Sequence, residues 1–216
     1  MKFSCAAVLF DADGTLIDSI PAVERAWRTW STEYGFDPDE ILAVCHGRPS
    51  AETIAELVPG DGFRAALTRL DDLEVNDTQG VRAYPNSRAL LDALDEAGLP
   101  WAVVTSGNLA LVTARLKAAE LPTPQVLVTA DSVTNGKPDP EGYLLAARQL
   151  GADPERCVVI EDAPAGIRAG KAAGATVIAV ATSHGADELG AADAIVPELS
   201  SVSYVDGALT VADQLG

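Results

Sequence analysis

The chain passes from an apolar run into two aspartates within residues 6–15, which read AAVLFDADGT. Five apolar residues in succession are typical of a strand that is buried on both faces, as the strands of parallel sheets are. Asp11 and Asp13 follow this predicted strand directly, and Gly14 allows the chain to turn sharply away from it. Ligands of open α/β sheets bind beyond the carboxyl ends of the strands. The stretch therefore predicts a parallel sheet with a polar site at its edge.

Further apolar runs alternate with helical patterns along the chain. This alternation predicts right-handed βαβ units. We therefore predict an α/β fold with a doubly wound, mostly parallel, Rossmann-like sheet. Gly98, Gly151 and Gly174 follow three of the predicted helices, where a C-terminal glycine cap belongs. The predicted strands are residues 6–10, 101–104, 125–128, 157–160 and 176–180, and the predicted helices are residues 87–97, 109–119, 140–150 and 164–173.

Residues 17–83 interrupt this alternation, because they read as several helices with no convincing strand. We predict that they form an inserted all-helical domain within a core domain made of residues 1–16 and 84–216. The first helix carries an apolar stripe, which predicts packing in a separate core rather than contact with a ligand. The acidic residues 71–74 are predicted to be solvated surface. The stripe consists of Ile20, Val23, Trp27, Trp30 and Tyr34.

The composition argues against several classes of function. A formal net charge of −17 repels nucleic acid and anionic membrane surfaces, so neither is a predicted partner. The three cysteines have no metal-binding or redox spacing, and the apolar run at residues 6–10 is too short for a signal peptide. We predict a cytoplasmic protein that is a monomer or a weak homodimer.

Three further polar segments lie at or between the predicted strands. Residues 105–108, which read TSGN, follow the second strand, and Glu161 and Asp162 follow the fourth. Lys137 precedes a predicted helix within the sequence GKPDP. Each segment alone could be a helix cap or a surface turn. Together their complementary side chains predict one active site for phosphoryl transfer.

The residue types predict specific roles in that chemistry. Asp11 can attack phosphorus as a nucleophile, and Asp13 can act as general acid toward the leaving alkoxide and then as base toward water. The hydroxyl of Thr105 can donate to phosphate, and Lys137 can neutralise both the phosphate and Asp11. Mg²⁺ takes one or two carboxylates together with phosphate oxygens, and Asp11 and Asp162 can supply those carboxylates.

These residues resemble the motifs of the haloacid dehalogenase-like (HAD) superfamily, whose phosphatases carry Asp-x-Asp-Gly-Thr, a strand-terminal Thr or Ser, a Lys and an acidic pair in this order. The resemblance covers almost the whole chain, is closest to bacterial sugar-phosphate phosphatases, and departs only in the small Ala12 between the aspartates. It implies that residues 17–83 are a helical C1 cap. It also implies that Asp11, Asp162 and the backbone carbonyl of Asp13 bind Mg²⁺, with Glu161 acting through water.

Candidate substrate-binding residues come from both predicted domains. They are Ser106, Gly107, Asn108, Glu24, His46 and Arg48. The first two can offer backbone N–H groups to phosphate at the start of a helix. The resemblance implies that Asn108 lies near the substrate and that residues of the cap meet the leaving group. Two of these residues are equally well interpreted without contact with the substrate: Glu24 as a solvated helix residue and His46 as an ordinary loop histidine.

We therefore predict a Mg²⁺-dependent phosphatase for small sugar or polyol phosphates, acting through an aspartyl-phosphate. Its partner is a small phosphorylated metabolite. The alternative is a phosphomutase of the β-phosphoglucomutase kind, which shares the catalytic residues. A non-enzymatic binding protein on this fold is a minor alternative, because such a protein is expected to lose catalytic groups that this chain retains. Dehalogenation is disfavoured because that branch lacks the aspartate at the position of Asp13.

Overall fold

The computed structural model describes residues 1–45 and 50–215. No helix within these residues is long and apolar enough to cross a bilayer. The strands are β1 (Lys2–Phe3), β2 (Ala7–Phe10), β3 (Ile17–Asp18), β4 (Arg82–Ala83), β5 (Trp101–Val104), β6 (Val126–Val128), β7 (Cys157–Glu161), β8 (Thr176–Val180), β9 (Ala194–Val196), β10 (Val202–Val205) and β11 (Ala208–Val211). The α-helices are α1 (Ile20–Tyr34), α2 (Pro38–Cys45), α3 (Ser50–Leu57), α4 (Phe63–Asn76), α5 (Ser87–Glu96), α6 (Leu109–Ala118), α7 (Glu141–Gln149) and α8 (Pro164–Ala172).

Within the described part of the chain, the central sheet has six parallel strands in the order β6–β5–β2–β7–β8–β9. The first strand of the sheet along the chain, β2, lies in the interior between β5 and β7. Every strand and helix predicted between residues 6 and 180 of the core agrees with an observed element to within one residue at each end. The predicted doubly wound α/β fold is confirmed.

The strands of this sheet are buried on both faces. In β2, Val8 and Phe10 pack in one apolar cluster, whereas Ala7 and Leu9 pack in the cluster on the other side. Successive side chains of a strand point to opposite faces, so a strand covered on both sides needs an uninterrupted apolar run. Each fully buried Leu or Phe side chain contributes roughly 1.5–3 kcal/mol to stability. This burial holds the polar residues after β2 in a fixed position.

Helices α1–α4, which we call the cap, have an apolar core of their own. Trp27 and Trp30 are buried in it, and the indole N–H of Trp30 donates to the Ala66 carbonyl at 2.8 Å. The prediction that these tryptophans pack in a separate core is confirmed. The prediction of an entirely helical insertion is wrong at its ends, where β3 and β4 pair antiparallel. Strands of two residues have no periodicity that a sequence pattern could reveal.

A second sheet was not predicted. It is antiparallel, has the order β1–β11–β10, and pairs Phe3 with Leu209 across almost the full length of the chain. The sixth strand of the central sheet, β9, was also not predicted. These strands are short, and most of β10 is partly exposed. They therefore lack the continuous apolar run that identifies the central strands.

Candidate active site

The carboxyl ends of three neighbouring strands bring the predicted polar residues together. Asp11 follows β2, Thr105 follows β5, Glu161 ends β7, and Asp162 comes directly after it. Carboxylate oxygens of Asp11, Glu161 and Asp162 lie within 4.8 Å of one another, and all three residues are buried. The structure thus places three of the predicted carboxylates in one cluster at the edge of the sheet.

The turn after β2 allows Asp162 to approach the backbone closely. Gly14 has a φ of 87°, and its N–H donates to the Ile17 carbonyl at 2.9 Å. A Cβ at Gly14 would lie 2.1 Å from Asp162 Oδ2, so a larger residue would displace that carboxylate. The hydroxyl of Thr15 donates to Asp162 Oδ1 at 3.2 Å. The turn therefore positions Asp162 as well as ending the strand.

Lys137 places its ammonium group between two of the carboxylates. Its Nζ donates to Asp11 Oδ1, to Glu161 Oε1 at 2.6 Å and to the Val104 carbonyl at 3.0 Å. Burial alone would lower the pKa of Lys137, but the carboxylates of Asp11 and Glu161 hold that pKa well above its ordinary value. Lys137 is therefore a fixed positive charge beside Asp11.

Glu161 is held by donors on both of its oxygens. Oε1 accepts hydrogen bonds from Lys137 and from the Tyr143 hydroxyl at 3.0 Å. Oε2 accepts from the backbone N–H groups of Asp162 at 2.9 Å and Ala163 at 3.0 Å. Because both oxygens are engaged by the protein, Glu161 is better placed to orient Lys137 than to bind a metal directly.

The charge of this cluster fits a divalent cation. Asp11, Glu161 and Asp162 contribute three carboxylates, against which Lys137 contributes one positive charge. Burial raises the pKa of Asp11, an effect that Lys137 opposes and Glu161 reinforces. Burial and then Glu161 raise the pKa of Asp162 to about 7. A divalent cation bound by the hard oxygens of Asp11 and Asp162 would balance the excess negative charge.

The segment after β5 forms the start of α6. The Gly107 N–H donates to Thr105 Oγ1 at 3.1 Å. Asn108 caps α6 by accepting a backbone N–H at 2.9 Å. Burial raises the pKa of Asp71 on α4, and the nearby Asn108 side chain opposes that rise. Ser106, Gly107 and Asn108 all line the adjoining cavity. Asn108 therefore lies near the cap, beside the place where the substrate is predicted to bind.

Asp13 is paired with an arginine. Its Oδ2 forms an ion pair with Arg115, whose Nη1 lies 2.8 Å away, and Arg115 Nη2 donates to Glu74 Oε1 at 3.1 Å. Glu74 lies on α4 of the cap and is buried. The prediction that residues 71–74 form solvated surface is therefore wrong for Glu74. Its partner is 41 residues away in sequence, so the local run of charges could not reveal the ion pair.

The core and the cap line a shared cavity of about 720 Å³. Asp11, Thr105 and Lys137 lie on its core side, and Glu24 lies on its cap side. The structure thus brings Glu24 to the same cavity as the predicted catalytic residues. The other two predicted cap contacts, His46 and Arg48, fall outside the described residues.

A model of the haloacid dehalogenase-like hydrolases matches residues 5–174. The chain belongs to this hydrolase family. The resemblance inferred from the strand-terminal motifs is therefore confirmed. The match covers the cap as well as the core strands up to β7 and the helix that follows.

Relatives of this HAD-like hydrolase match it along most of their length. Hexitol phosphatase A of Escherichia coli is 45% identical over 92% of this chain and 94% of its own. The 2-deoxyglucose-6-phosphate phosphatase 1 of Saccharomyces cerevisiae is 35% identical over 94% and 92%, respectively. A solved structure described as a candidate beta-phosphoglucomutase from Thermotoga maritima has a TM-score of 0.69 at 31% identity, covering 88% of this chain and 93% of that one.

Four further residues of the hydrolase site were not predicted. Ser183 donates to Asp162 Oδ2, and His184 Nδ1 lies 3.1 Å from the Asp162 carbonyl oxygen. Both follow β8, so the rule that ligand sites lie at strand ends could have identified them. Tyr143 and Arg115 lie within helices, where the local sequence does not distinguish a buried polar contact from ordinary packing.

Gly166→Ala is expected to disturb the Lys137–Glu161 pair of the hydrolase. A Cβ at Gly166 would lie 1.6 Å from Glu161 Oε1, so the carboxylate would have to move. We expect the free energy of unfolding to fall by about 1–3 kcal/mol. We expect the rate of hydrolysis to fall roughly 100-fold. Chemical denaturation and an assay of phosphate release measure the two effects.

Gly190→Ala is the matched control for this substitution. The nearest atom to a Cβ at Gly190 is 4.0 Å away, which is an ordinary contact. The control is expected to change neither stability nor rate. Equal effects of the two substitutions would contradict a specific contact between Gly166 and Glu161.

Proposed function

We propose that this hydrolase is a Mg²⁺-dependent phosphatase that acts on small sugar or polyol phosphates through an aspartyl-phosphate intermediate. The observation that carries the proposal is the contact between Asp11, at the end of β2, and the ammonium of Lys137, beside a cavity shared with the cap. A phosphate group and a carboxylate repel one another. A cation already fixed beside the carboxylate lowers the cost of bringing them together.

Asp11 and Asp162 are the proposed side-chain ligands of Mg²⁺, together with the backbone carbonyl of Asp13. Their donors are hard oxygen atoms, and the two carboxylates belong to one buried cluster with excess negative charge. When bound, the metal supplies positive charge at the phosphate oxygens. Glu161 supports the site by orienting Lys137.

In the proposed first step Asp11 attacks phosphorus. A bond forms between an oxygen of its carboxylate and phosphorus while the bond from phosphorus to the leaving oxygen breaks. Asp13 donates a proton to that oxygen, so the product leaves as an alcohol rather than as an alkoxide. The enzyme then carries the phosphoryl group on Asp11, and Asp13 is ionised.

The segment after β5 is proposed to bind the phosphate oxygens. The oxygen of the Thr105 side chain accepts from the Gly107 N–H, which leaves the hydroxyl hydrogen to donate to phosphate. Backbone N–H groups at Ser106 and at the start of α6 are further donors. Lys137 offsets the charge that accumulates as the phosphoryl group approaches Asp11.

In the proposed second step water releases the phosphate. Asp13 takes a proton from the water, whose oxygen bonds to phosphorus as the bond to Asp11 breaks. Inorganic phosphate leaves, Asp11 is restored as a carboxylate, and Asp13 regains its proton. The cap must first cover the substrate and then admit this water, since the alcohol has to depart between the steps.

The family and the relatives support the assignment to phosphate monoester hydrolases. The bacterial relative is named as a hexitol phosphatase and the yeast relative as a 2-deoxyglucose-6-phosphate phosphatase. A cavity of about 720 Å³ is of the size that holds a small ligand. Glu24 and Asn108 on its walls are proposed to contact the hydroxyl groups of the sugar or polyol, and His46 and Arg48 remain predicted contacts.

A phosphomutase is the second candidate, because one similar solved structure is described as a candidate beta-phosphoglucomutase. We favour the phosphatase because the relative with 45% identity over most of the chain is a hexitol phosphatase. A non-enzymatic role is disfavoured, since Asp11, Lys137 and Asp162 are all in contact or close together.

The test of the proposed function is phosphate release from a panel of hexitol, hexose and glycerol phosphates with Mg²⁺ and with EDTA. We expect a hexitol or hexose phosphate to be the best substrate and EDTA to abolish release. Interconversion of sugar phosphates that requires a bisphosphate activator, without net phosphate release, would favour the mutase. No turnover of either kind by folded protein would contradict both assignments.

Four predictions from the sequence are retained as part of this proposal. They are the cytoplasmic location, the absence of nucleic-acid and membrane partners, the monomer or weak homodimer, and the division into residues 1–16 and 84–216 for the core and 17–83 for the cap. Light scattering coupled to size exclusion measures the oligomeric state.

A further inference from the structure

A buried arginine connects the proposed acid/base residue to the cap. The Arg115 side chain is 5% exposed and lies on α6 of the core. Its Nη1 lies 2.8 Å from Asp13 Oδ2 in an ion pair, and its Nη2 donates to Glu74 Oε1 at 3.1 Å. One guanidinium therefore joins the turn after β2 to helix α4 of the cap.

The two oxygens of Asp13 have different surroundings. Oδ2 is held by Arg115, whereas Oδ1 has no hydrogen-bond partner within residues 1–45 and 50–215. Asp13 also lines the cavity in which the substrate is proposed to bind. Oδ1 is itself buried, so the ion pair with Arg115 holds Asp13 through one oxygen and leaves the other without a partner.

A second acidic residue lies on the same face of α4, near α6. Asp71 and Glu74 are three residues apart, so they lie on one face of α4. Asn108, the residue that caps α6, opposes the rise that burial causes in the pKa of Asp71, and Glu74 accepts a hydrogen bond from Arg115 further along that helix. A buried ion pair contributes little more to stability than well-packed apolar side chains of similar volume would. Stability alone therefore does not account for a charged residue at position 115.

We propose that Arg115 is a positioning residue for Asp13 and that Glu74 fixes Arg115 when α4 lies against α6. This inference rests on the proposed phosphatase function. Proton transfer requires the acid within hydrogen-bond reach of the leaving oxygen, and a displacement of about 1 Å can cost roughly 100-fold in rate. The cap then does more than cover the substrate, because its Glu74 also sets the position of the acid/base group.

The leaving group distinguishes loss of positioning from general damage to the structure. A polyol leaves poorly without a proton, whereas p-nitrophenolate is stable enough to leave without one. The value of kcat/KM depends only on the steps up to and including phosphoryl transfer to Asp11. The later hydrolysis of the aspartyl-phosphate therefore does not affect it. We expect Arg115→Met to lower kcat/KM for a hexitol phosphate about 100-fold and for p-nitrophenyl phosphate less than about threefold.

Three variants complete the experiment. Lys117→Met removes an exposed cation from the same helix and is expected to leave both values unchanged. Asp13→Asn removes the acid itself and is expected to give the same selective loss. Arg115→Met leaves the buried carboxylate of Glu74 without its cation. The double variant Arg115→Met/Glu74→Gln removes this unpaired charge and is measured beside the single variant.

An equal loss on both substrates, or no loss on either, in a folded Arg115 variant overturns the positioning role. Melting temperature and circular dichroism establish that the variant is folded. If the unmodified enzyme releases phosphate from neither substrate, the proposed function fails and this inference fails with it. If the unmodified enzyme hydrolyses both substrates and only the selective loss is missing, the proposed function stands and the inference does not.

Discussion

Asp11→Asn is expected to abolish phosphate release from sugar and polyol phosphates, with a loss of roughly 10⁴-fold or more in kcat. Asparagine has nearly the shape of aspartate, but its amide cannot form the acyl-phosphate bond. The substitution also removes one of the two proposed carboxylate ligands of Mg²⁺. A steady-state assay of phosphate release with saturating substrate measures the effect.

The protein with Asp11→Asn is expected to remain at least as stable as the unmodified enzyme. Burial raises the pKa of Asp11, which means that the ionised carboxylate is disfavoured in the folded state. A neutral amide removes that cost. Asp92→Asn, which changes an exposed aspartate paired with Arg88, is the matched control and is expected to leave the rate unchanged. Retention of substantial activity with Asp11→Asn would contradict the assignment of the nucleophile.

Lys137→Met is expected to reduce both activity and stability. Methionine has a similar length but no charge, so Asp11 and Glu161 lose the cation between them. Removing one member of a buried ion pair typically costs about 3–5 kcal/mol. Loss of one preorganised electrostatic group typically lowers kcat about 10²- to 10³-fold. Denaturant unfolding and phosphate release measure the two quantities.

The destabilisation by Lys137→Met is expected to grow as the pH rises. Burial already raises the pKa of Asp11, and Lys137 is the group that opposes this rise. A carboxyl whose pKa is higher in the folded state than in the unfolded state favours folding at low pH, and this contribution is lost as the pH rises through the folded-state pKa. Unfolding in metal-free buffer between roughly pH 5 and pH 8 shows the trend.

Combining Lys137→Met with Asp11→Asn is the control for this electrostatic explanation. The second substitution removes one of the two carboxylates that the first leaves unpaired. The combined variant is therefore expected to be more stable than Lys137→Met alone and less dependent on pH. A stability of Lys137→Met equal to that of the unmodified enzyme at every pH would contradict the proposed role of the ion pair.

The central sheet could be predicted from the sequence because its strands are buried on both faces. Residues 101–104 and 177–180 are uninterrupted apolar runs, and both lie within observed strands. Because each run is apolar throughout, the first polar residue after it marks the carboxyl end of the strand. Asp11, Thr105 and Glu161 could therefore be placed at one edge of the sheet.

Contacts between the core and the cap could not be predicted in this way. Glu74 and Arg115 are 41 residues apart in sequence, and neither of their helices carries a local signal for the other. The paired strands at the ends of the insertion and the sheet formed by β1, β10 and β11 likewise depend on distant pairing. The roles assigned to the individual site residues remain predictions, which the substitutions above test.

The most direct test of the proposed function is to locate the phosphoryl group on the enzyme during turnover. The enzyme is quenched in acid while it hydrolyses excess hexitol phosphate with Mg²⁺, and borohydride then reduces any acyl phosphate to homoserine. We expect peptide mass spectrometry to find the reduced residue at position 11, and to find none without substrate. A phosphoryl group on another residue, or turnover with no covalent adduct, would contradict nucleophilic catalysis by Asp11.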